Sequence, residues 1–483
     1  MIRHAALLLT TTLCLTACGE FRGMPSLEVT LPEMFAQAPE VAASEKPAPL
    51  SQDWWKQTDD KVLVGLLERV EKQNLSIEQA QFRLLAARES ARSLDYLPTL
   101  GVTTDAQYNR LIEGDFAINN VGFAGAGGGQ QKTTGFYNAR LDSSWELPLW
   151  GQYGAASDID KRSLAYAEAD LASVRANVMA EAVRLYAEMR GFQQQRLAHE
   201  KMVSAQEKIT EYQFIKHKAG LIPDSDLASA TRSLLEAKGT LQTTLKNEVA
   251  ARQQLAALMG QAAPEKEWEA PADVPSITLP ELGDTPVDVL RNRPDIRRAE
   301  ASVLREAAQL ELAKADRYPR ITLGGNLSQL DNLTGSPLPG KTIQLTGTPA
   351  ISIPLFDWGK RLAAAKAQDA KLSETASAYR ETVVNAMTEV ESFLSAAEAA
   401  KKNKEQSTES AALERKNQEQ AALLFTQGLT DGITAENAHI MALQAEISAL
   451  QTHVEQISRI AALTKALGGG IPAPTISTNE QTP

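Results

Sequence analysis

One succession of hydrophobic periods occurs twice along this chain, and that duplication restricts its fold more than any other feature. In the first half, "NLSIEQAQFRLLAARESARSLDYLPTLGV" (74–102) keeps a helical period until Pro98, where the period drops to two. A residue before proline is pushed out of helical geometry, so the change falls where it should. In the second half, "NRPDIRRAE" (292–300) opens a helix expected over Pro294 to about Arg317, and alternation again begins after a proline, Pro319. Pro294 suits a first helical turn, and Asp295 is favoured beside the positive end of the helix dipole.

The segment beyond each proline is repeated as well. The first half alternates over about 99–110, crosses the Gly-rich loop "VGFAGAGGGQQ", and alternates again over about 135–147. The second alternates over about 320–329 and 342–353, split by "DNLTGSPLPGK". These are strand–loop–strand units with one apolar and one polar face. A long helical hairpin comes next in each half, about 155–259 and 358–467, turning at "KAGLIPDSD" and "TQGLTDGIT". Leu164, Leu171, Val178, Leu185 and Phe192 recur every seven residues in the first. In the second, Ile440, Leu443, Ile447, Leu450, Val454 and Ile457 alternate spacings of three and four, a left-handed coiled-coil seam. One further helix is expected from about Asp53 to Tyr96.

Four strands make an open sheet with two unpaired edges, which a bilayer does not tolerate. Membrane barrels begin at about eight strands, so the chain calls for assembly with copies of itself. Gly, Thr, Asn and Asp on the second strand face fit a water-filled lumen; a soluble sandwich is the competing reading. Composition agrees with long, narrow seams: aromatic residues are 5% and much of the 43% hydrophobic content is Ala and Leu. A net charge of −11 excludes an extended nucleic-acid surface.

The N-terminus "MIRHAALLLTTTLCLTAC" has a basic start, an apolar run too short to span a bilayer permanently, and small residues before Cys18. "LTAC" is similar to the bacterial lipobox, which implies N-acyl and diacylglycerol lipid on Cys18, and Gly19 then implies sorting to the outer membrane. An ordinary signal peptide cut elsewhere is the alternative. Cys14 would leave with the signal, so no disulfide is expected in the mature chain.

"VDVLRNRPDIRRAEASVLREAAQLELAKADRYPRITL" resembles the signature of the outer-membrane factor family, the TolC-like channels of bacterial efflux and secretion. "DWWKQTDDKVLVGLLERVEKQNLSIEQAQFRL" is similar to that family's N-terminal helix in its lipoprotein branch, and "SIPLFDWGKRLAAAKAQ" to its strand-to-helix junction. The resemblance covers roughly 50–467. It implies a mostly α fold with a membrane β-barrel and an internal two-fold repeat. As a homotrimer this gives a twelve-stranded barrel in the outer membrane and a twelve-helix periplasmic tunnel. Expected divisions are a signal peptide at 1–18, a lead-in at 19–52 and a first repeat at 53–260. An equatorial link at 261–285, a second repeat at 286–467 and a tail at 468–483 complete the chain.

The same resemblance implies partners: a periplasmic membrane-fusion adaptor and an inner-membrane pump, expected to be of the RND type. The family's tunnel closes at acidic residues on the hairpin tips. Here Asp226 holds the family's position in the first tip, with Asp224 beside it. In the second, Thr434 and Asn437 occupy the aligned positions while Asp431 and Glu436 stand nearby. These acids either gate the tunnel or solvate a turn. Gly220 with Leu221, and Gly428 with Leu429, make the tip turns where the family meets its adaptor. Acidic mouths should favour cations over anions, and Asp224 and Asp226 changed to Asn should weaken that preference. An enzyme is not expected, nor a bound metal or other cofactor. His4, His199, His217, His439 and His453 show no metal spacing, no phosphate-binding Gly loop is present, and the mature chain is expected to carry no free thiol nucleophile. A lipid-anchored coiled-coil scaffold and a type I secretion duct are the competing functions.

Overall fold

The structure, a computed structural model, describes residues 24–30, 32, 55, 58, 60–92, 98–110, 133–278, 286–332 and 342–469. Cys18, the loop at 121–131 and most of the lead-in and tail lie outside these residues. The described residues divide into two compact units, one within 24–25, 89–161 and 304–373, the other within 26–88, 162–303 and 374–469.

The first unit carries the sheet. Strands β1 (Thr99–Arg110), β2 (Thr133–Leu147), β3 (Arg320–Asn332) and β4 (Thr342–Ser352) pair in that order, each antiparallel to the next. The two repeats are therefore joined in one sheet by the β2–β3 ladder, and β1 and β4 are its outer strands. Their register sorts side chains by chemistry. Val102, Leu141, Leu327 and Leu345 line up across all four strands on one face. One residue along, Thr103, Arg140, Ser328 and Gln344 line up on the other. A one-residue slip would exchange the faces, so the alternation fixes this register.

Helix α1 (Lys61–Gln73) and helix α2 (Leu75–Ala91) replace the single helix expected over 53–96. Asn74 makes the break. Its backbone N–H closes α1 on Val70, while its side-chain oxygen accepts from Ser76 N at 2.9 Å and Ile77 N at 3.0 Å, capping α2. An Asn side chain competes with backbone partners in this way, which a period analysis does not register. At the other end of α1, Asp60 caps Val62 and Leu63 and accepts from the Tyr186 hydroxyl at 2.7 Å.

Two matched hairpins follow their strands. Helix α3 (Gln152–Lys218) and α4 (Asp224–Leu258) form the first; α7 (Lys360–Thr426) and α8 (Gly432–Ala466) form the second. Each outgoing helix has 67 residues and each returning one 35, so the duplication holds to the residue. At 1.5 Å per residue the longer helices run about 100 Å. Between the hairpins lie the link through the buried Trp268, then α5 (Pro286–Asn292) and α6 (Pro294–Ala315). Among the described residues no helix is long and apolar enough to cross a membrane.

The main core of the second unit joins Leu63, Leu66, Leu67 and Val70 of α1 to Met179, Val183 and Tyr186 of α3. Leu255 of α4, Ile457 of α8 and Trp268 close it. The α8 seam has an unexpected partner. Leu443 and Ile447 pack on Ala198 and Met202 of α3, in the other repeat. Two glycines permit that approach: a Cβ on Gly191 would lie 2.6 Å from Val454, and one on Gly432 would lie 2.6 Å from the Tyr212 ring.

Candidate functional site

Both hairpin tips are built by the same backbone device. Gly220 has φ +73 and Gly428 φ +72, the left-handed conformation that only glycine adopts freely. The Gly220 N–H bonds to His217 O at 2.8 Å and the Leu221 N–H to Lys216 O at 3.0 Å. Gly428 and Leu429 repeat the pair on Phe425 and Leu424, each at 2.9 Å. This double bond pattern ends a helix while satisfying its last carbonyls. It also turns the next residue outward: Leu221 is 73% exposed and Leu429 70%. Each tip thus presents a bare leucine.

The acidic candidates divide by what holds them. Asp224 and Asp226 lie in the first turn of α4, favourable for negative charge, and both are exposed. Asp224 meets Nε2 of His217 across the turn, and Asp226 accepts only from the neighbouring Ser225 hydroxyl, at 3.2 Å, among the described contacts. Asp431 is instead the N-cap of α8: its carboxylate accepts from Thr434 N at 2.8 Å and lies 3.3 Å from Lys216 Nζ. Hydrogen bonds from Thr434, helped by Lys216, hold the Asp431 carboxyl below its ordinary value. Glu436 faces Lys208 of α3 at 2.7 Å, which raises the lysine above its usual value. Asn437 is exposed. The two tips are therefore tied together through Lys216–Asp431 and Lys208–Glu436, while Asp224, 97% exposed, and Asp226 face solvent.

Inside the second hairpin the tip-ward seam is polar. Lys404, Thr408, Arg415 and Gln418 of α7 face Glu446 and His453 of α8 across a cleft of about 630 Å³ whose lining also takes in alanines, Leu443 and Leu450. Ser407 and Thr452 hydroxyls meet there at 2.6 Å. Burial, with Lys404 adding to it, depresses the His453 imidazole below its ordinary value. At the far end α7 and α8 share an apolar cluster, where Val390, Leu394 and Ala397 meet Leu463 and Ala466.

The sheet supplies the remaining geometry. On its apolar face Val102, Ile343, Leu345 and Ile351 are at least two-thirds exposed in the single chain. Where strands become helices, Trp150 stacks on Tyr318 with ring centres 5.1 Å apart and donates through Nε1 to Pro319 O at 2.6 Å. Phe356 and Trp358 meet edge to face at 4.6 Å, and Trp358, 89% exposed, holds a left-handed φ of 55. Sequence reading did not single out these aromatics, although "PLWG" and "PLFDWG" mark the same junction in both repeats.

The family model described as "Outer membrane efflux protein" matches residues 66–261 and 285–469. The chain belongs to that family. It is similar to the pyoverdine export outer membrane protein OpmQ of Pseudomonas putida, 26% identical over 477 residues and covering 97% of each chain. Among solved structures it is similar to the outer-membrane channel OprN, with 26% identity, a TM-score of 0.75 and coverage of 94% of this chain and 99% of that one. The open-state MtrE outer membrane channel of Neisseria gonorrhoeae shares the fold at 21% identity and a TM-score of 0.76, covering 94% and 99%. As a member of the outer membrane efflux proteins, the chain is an exit duct in the outer membrane and not an enzyme.

Proposed function

We propose that three copies assemble into one passive duct of a tripartite efflux system. Three four-stranded sheets would give a twelve-stranded barrel, and the hairpins a periplasmic tunnel whose tips dock an adaptor and, through it, an inner-membrane pump of the RND type. The observation that carries this reading is the register. It gathers apolar side chains on one face across all four strands and polar ones on the other, while among the described residues β1 and β4 each have one neighbour. In a lipid-embedded ring the outer strands pair with neighbouring copies, the apolar face meets acyl chains and the polar face meets water. Trp150, Tyr318, Phe356 and Trp358 at the strand ends suit the headgroup boundary, where amphipathic rings collect. Acylation of Cys18 adds a lipid anchor to the same membrane.

Mechanistically, the pump supplies energy and the duct supplies a path. Asp224 and Asp226 are proposed as the charged mouth, with Thr434 and Asn437 lining it. Asp431 and Glu436 brace the tips through their lysine partners. Leu221 and Leu429 are the apolar points an adaptor would cover. The relative named for pyoverdine export supports small-molecule efflux over polypeptide secretion.

Thr430→Cys tests the docking claim. It places a thiol on the second tip of a chain whose other cysteines lie at the extreme N-terminus. With a bifunctional thiol crosslinker on intact cells, the proposal expects capture of a periplasmic adaptor, identified by mass spectrometry. Links only between copies of the chain, with thiol labelling confirmed, would contradict adaptor docking at the tips.

A further inference from the structure

We propose that Arg140 is a specificity-determining residue of the duct, a fixed cation on the polar sheet face that favours solutes bearing carboxylate, sulfonate or phosphate groups. The inference rests on the exit-duct reading. Its starting point is the row in which Arg140 stands, where Thr103, Ser328 and Gln344 beside it carry no charge. The next row holds Gly101, Asp142, Asn326 and Thr346. Arg140 is thus the cation of these two rows. The other arginine on this face, Arg320, sits at the strand end and is engaged by Asp316 at 2.7 Å and Glu146 at 3.7 Å.

Arg140 is held more loosely. Among the described side chains its nearest carboxylate is Asp142, with Oδ1 3.9 Å from Nε, too far for a hydrogen bond. Asp142 is turned toward β1 instead, accepting from the Thr103 hydroxyl at 2.9 Å. Arg140 Nε is buried against the wall with no hydrogen-bond partner, while the side chain as a whole remains 41% exposed. A guanidinium that is partly exposed and, among the described residues, without a hydrogen bond at Nε is suited to planar, two-oxygen anions. In a closed trimer, three of them face one lumen at the same level, the arrangement by which charged rings bias permeation. Their reach depends on salt. The screening length is about 30 Å at 0.01 M and about 3 Å at 1 M, so the bias spans the lumen only in dilute salt.

Reversal potentials across planar bilayers in dilute KCl gradients test this on the assembled full-length protein. Arg140→Gln is expected to lower chloride relative to potassium permeability about two- to fivefold, with the difference vanishing near molar salt. Arg140→Lys, which keeps charge but not shape, should stay near the wild type, and Asp142→Asn should shift the ratio toward chloride. Inositol hexakisphosphate added on the barrel side should reduce current through the wild type and not through Arg140→Gln. An unchanged ratio and unchanged block in Arg140→Gln, with conductance intact, would overturn the role of Arg140 while leaving the duct standing. Absence of any conductance from the wild type would overturn the duct reading and this inference with it.

Discussion

Arg293 shows how one side chain can hold three segments. It is almost fully buried, forks onto Asp295 with bonds of 2.7 and 3.1 Å, and reaches Glu389 of α7 and the Ala466 carbonyl at the end of α8, each at 2.6 Å. Removing one partner of a buried pair strands the other charge, at a cost on the order of 3–5 kcal/mol. Arg293→Ala should therefore unfold in detergent at a clearly lower temperature, and Arg293→Lys, lacking the fork, should recover less than half of the loss. Equal unfolding temperatures would remove this hub from the account. The pair also sets an acid limit. Burial acts to raise the Asp295 carboxyl, but Arg293 outweighs it and leaves it below its ordinary value. Its contribution is then complete above the unfolded carboxylate range and is lost as pH falls through the depressed value, below about pH 4. Arg293→Ala should lack that part of the acid sensitivity. The sequence placed Pro294 and Asp295 at a helix start, as observed, but read Asp295 as a partner of the helix dipole. Nothing local reveals that Arg293, Glu389 and Ala466, far apart in the chain, converge.

At the scale of elements, the second hairpin is unevenly fastened. Helix α8 is joined to α3 by Leu443, Ile447, two close glycine contacts and two lysine–carboxylate pairs. Toward the tip it meets α7 through hydroxyl and amide contacts around a polar cleft. Apolar burial is worth roughly 25 cal/mol per Å², and a polar seam forgoes most of it. In the proposed tunnel, the tip-ward part of α7 is thus the segment expected to separate at least cost on opening. Ser407→Cys with Thr452→Cys, whose hydroxyls touch at 2.6 Å, should form a disulfide that blocks efflux and releases it on reduction. Efflux unaffected by the oxidised bond would show that α7 and α8 move together. Period and heptads placed the strands and both hairpins within a few residues. They could not name the partner of the α8 seam, because a heptad states that a neighbour exists and not which one. Nor could they find the break at Asn74, where one side chain ends one helix and starts the next.

For the whole molecule, the decisive property is incompleteness. One chain offers an apolar sheet face to solvent, two outer strands with single neighbours and helix surfaces with many exposed aliphatic side chains. Alternation alone made this legible, since four strands cannot close and a bilayer forbids open edges. The number of copies was not legible from the residues, because eight or twelve strands would both close. Single-channel recording on purified protein of measured mass tests the central claim most directly. The account predicts particles of three chains that insert into planar bilayers and give discrete, water-filled conductance steps, whose cation preference at the tips weakens in Asp224→Asn with Asp226→Asn. Particles of any other copy number, or correctly sized trimers that insert and never conduct, would contradict it.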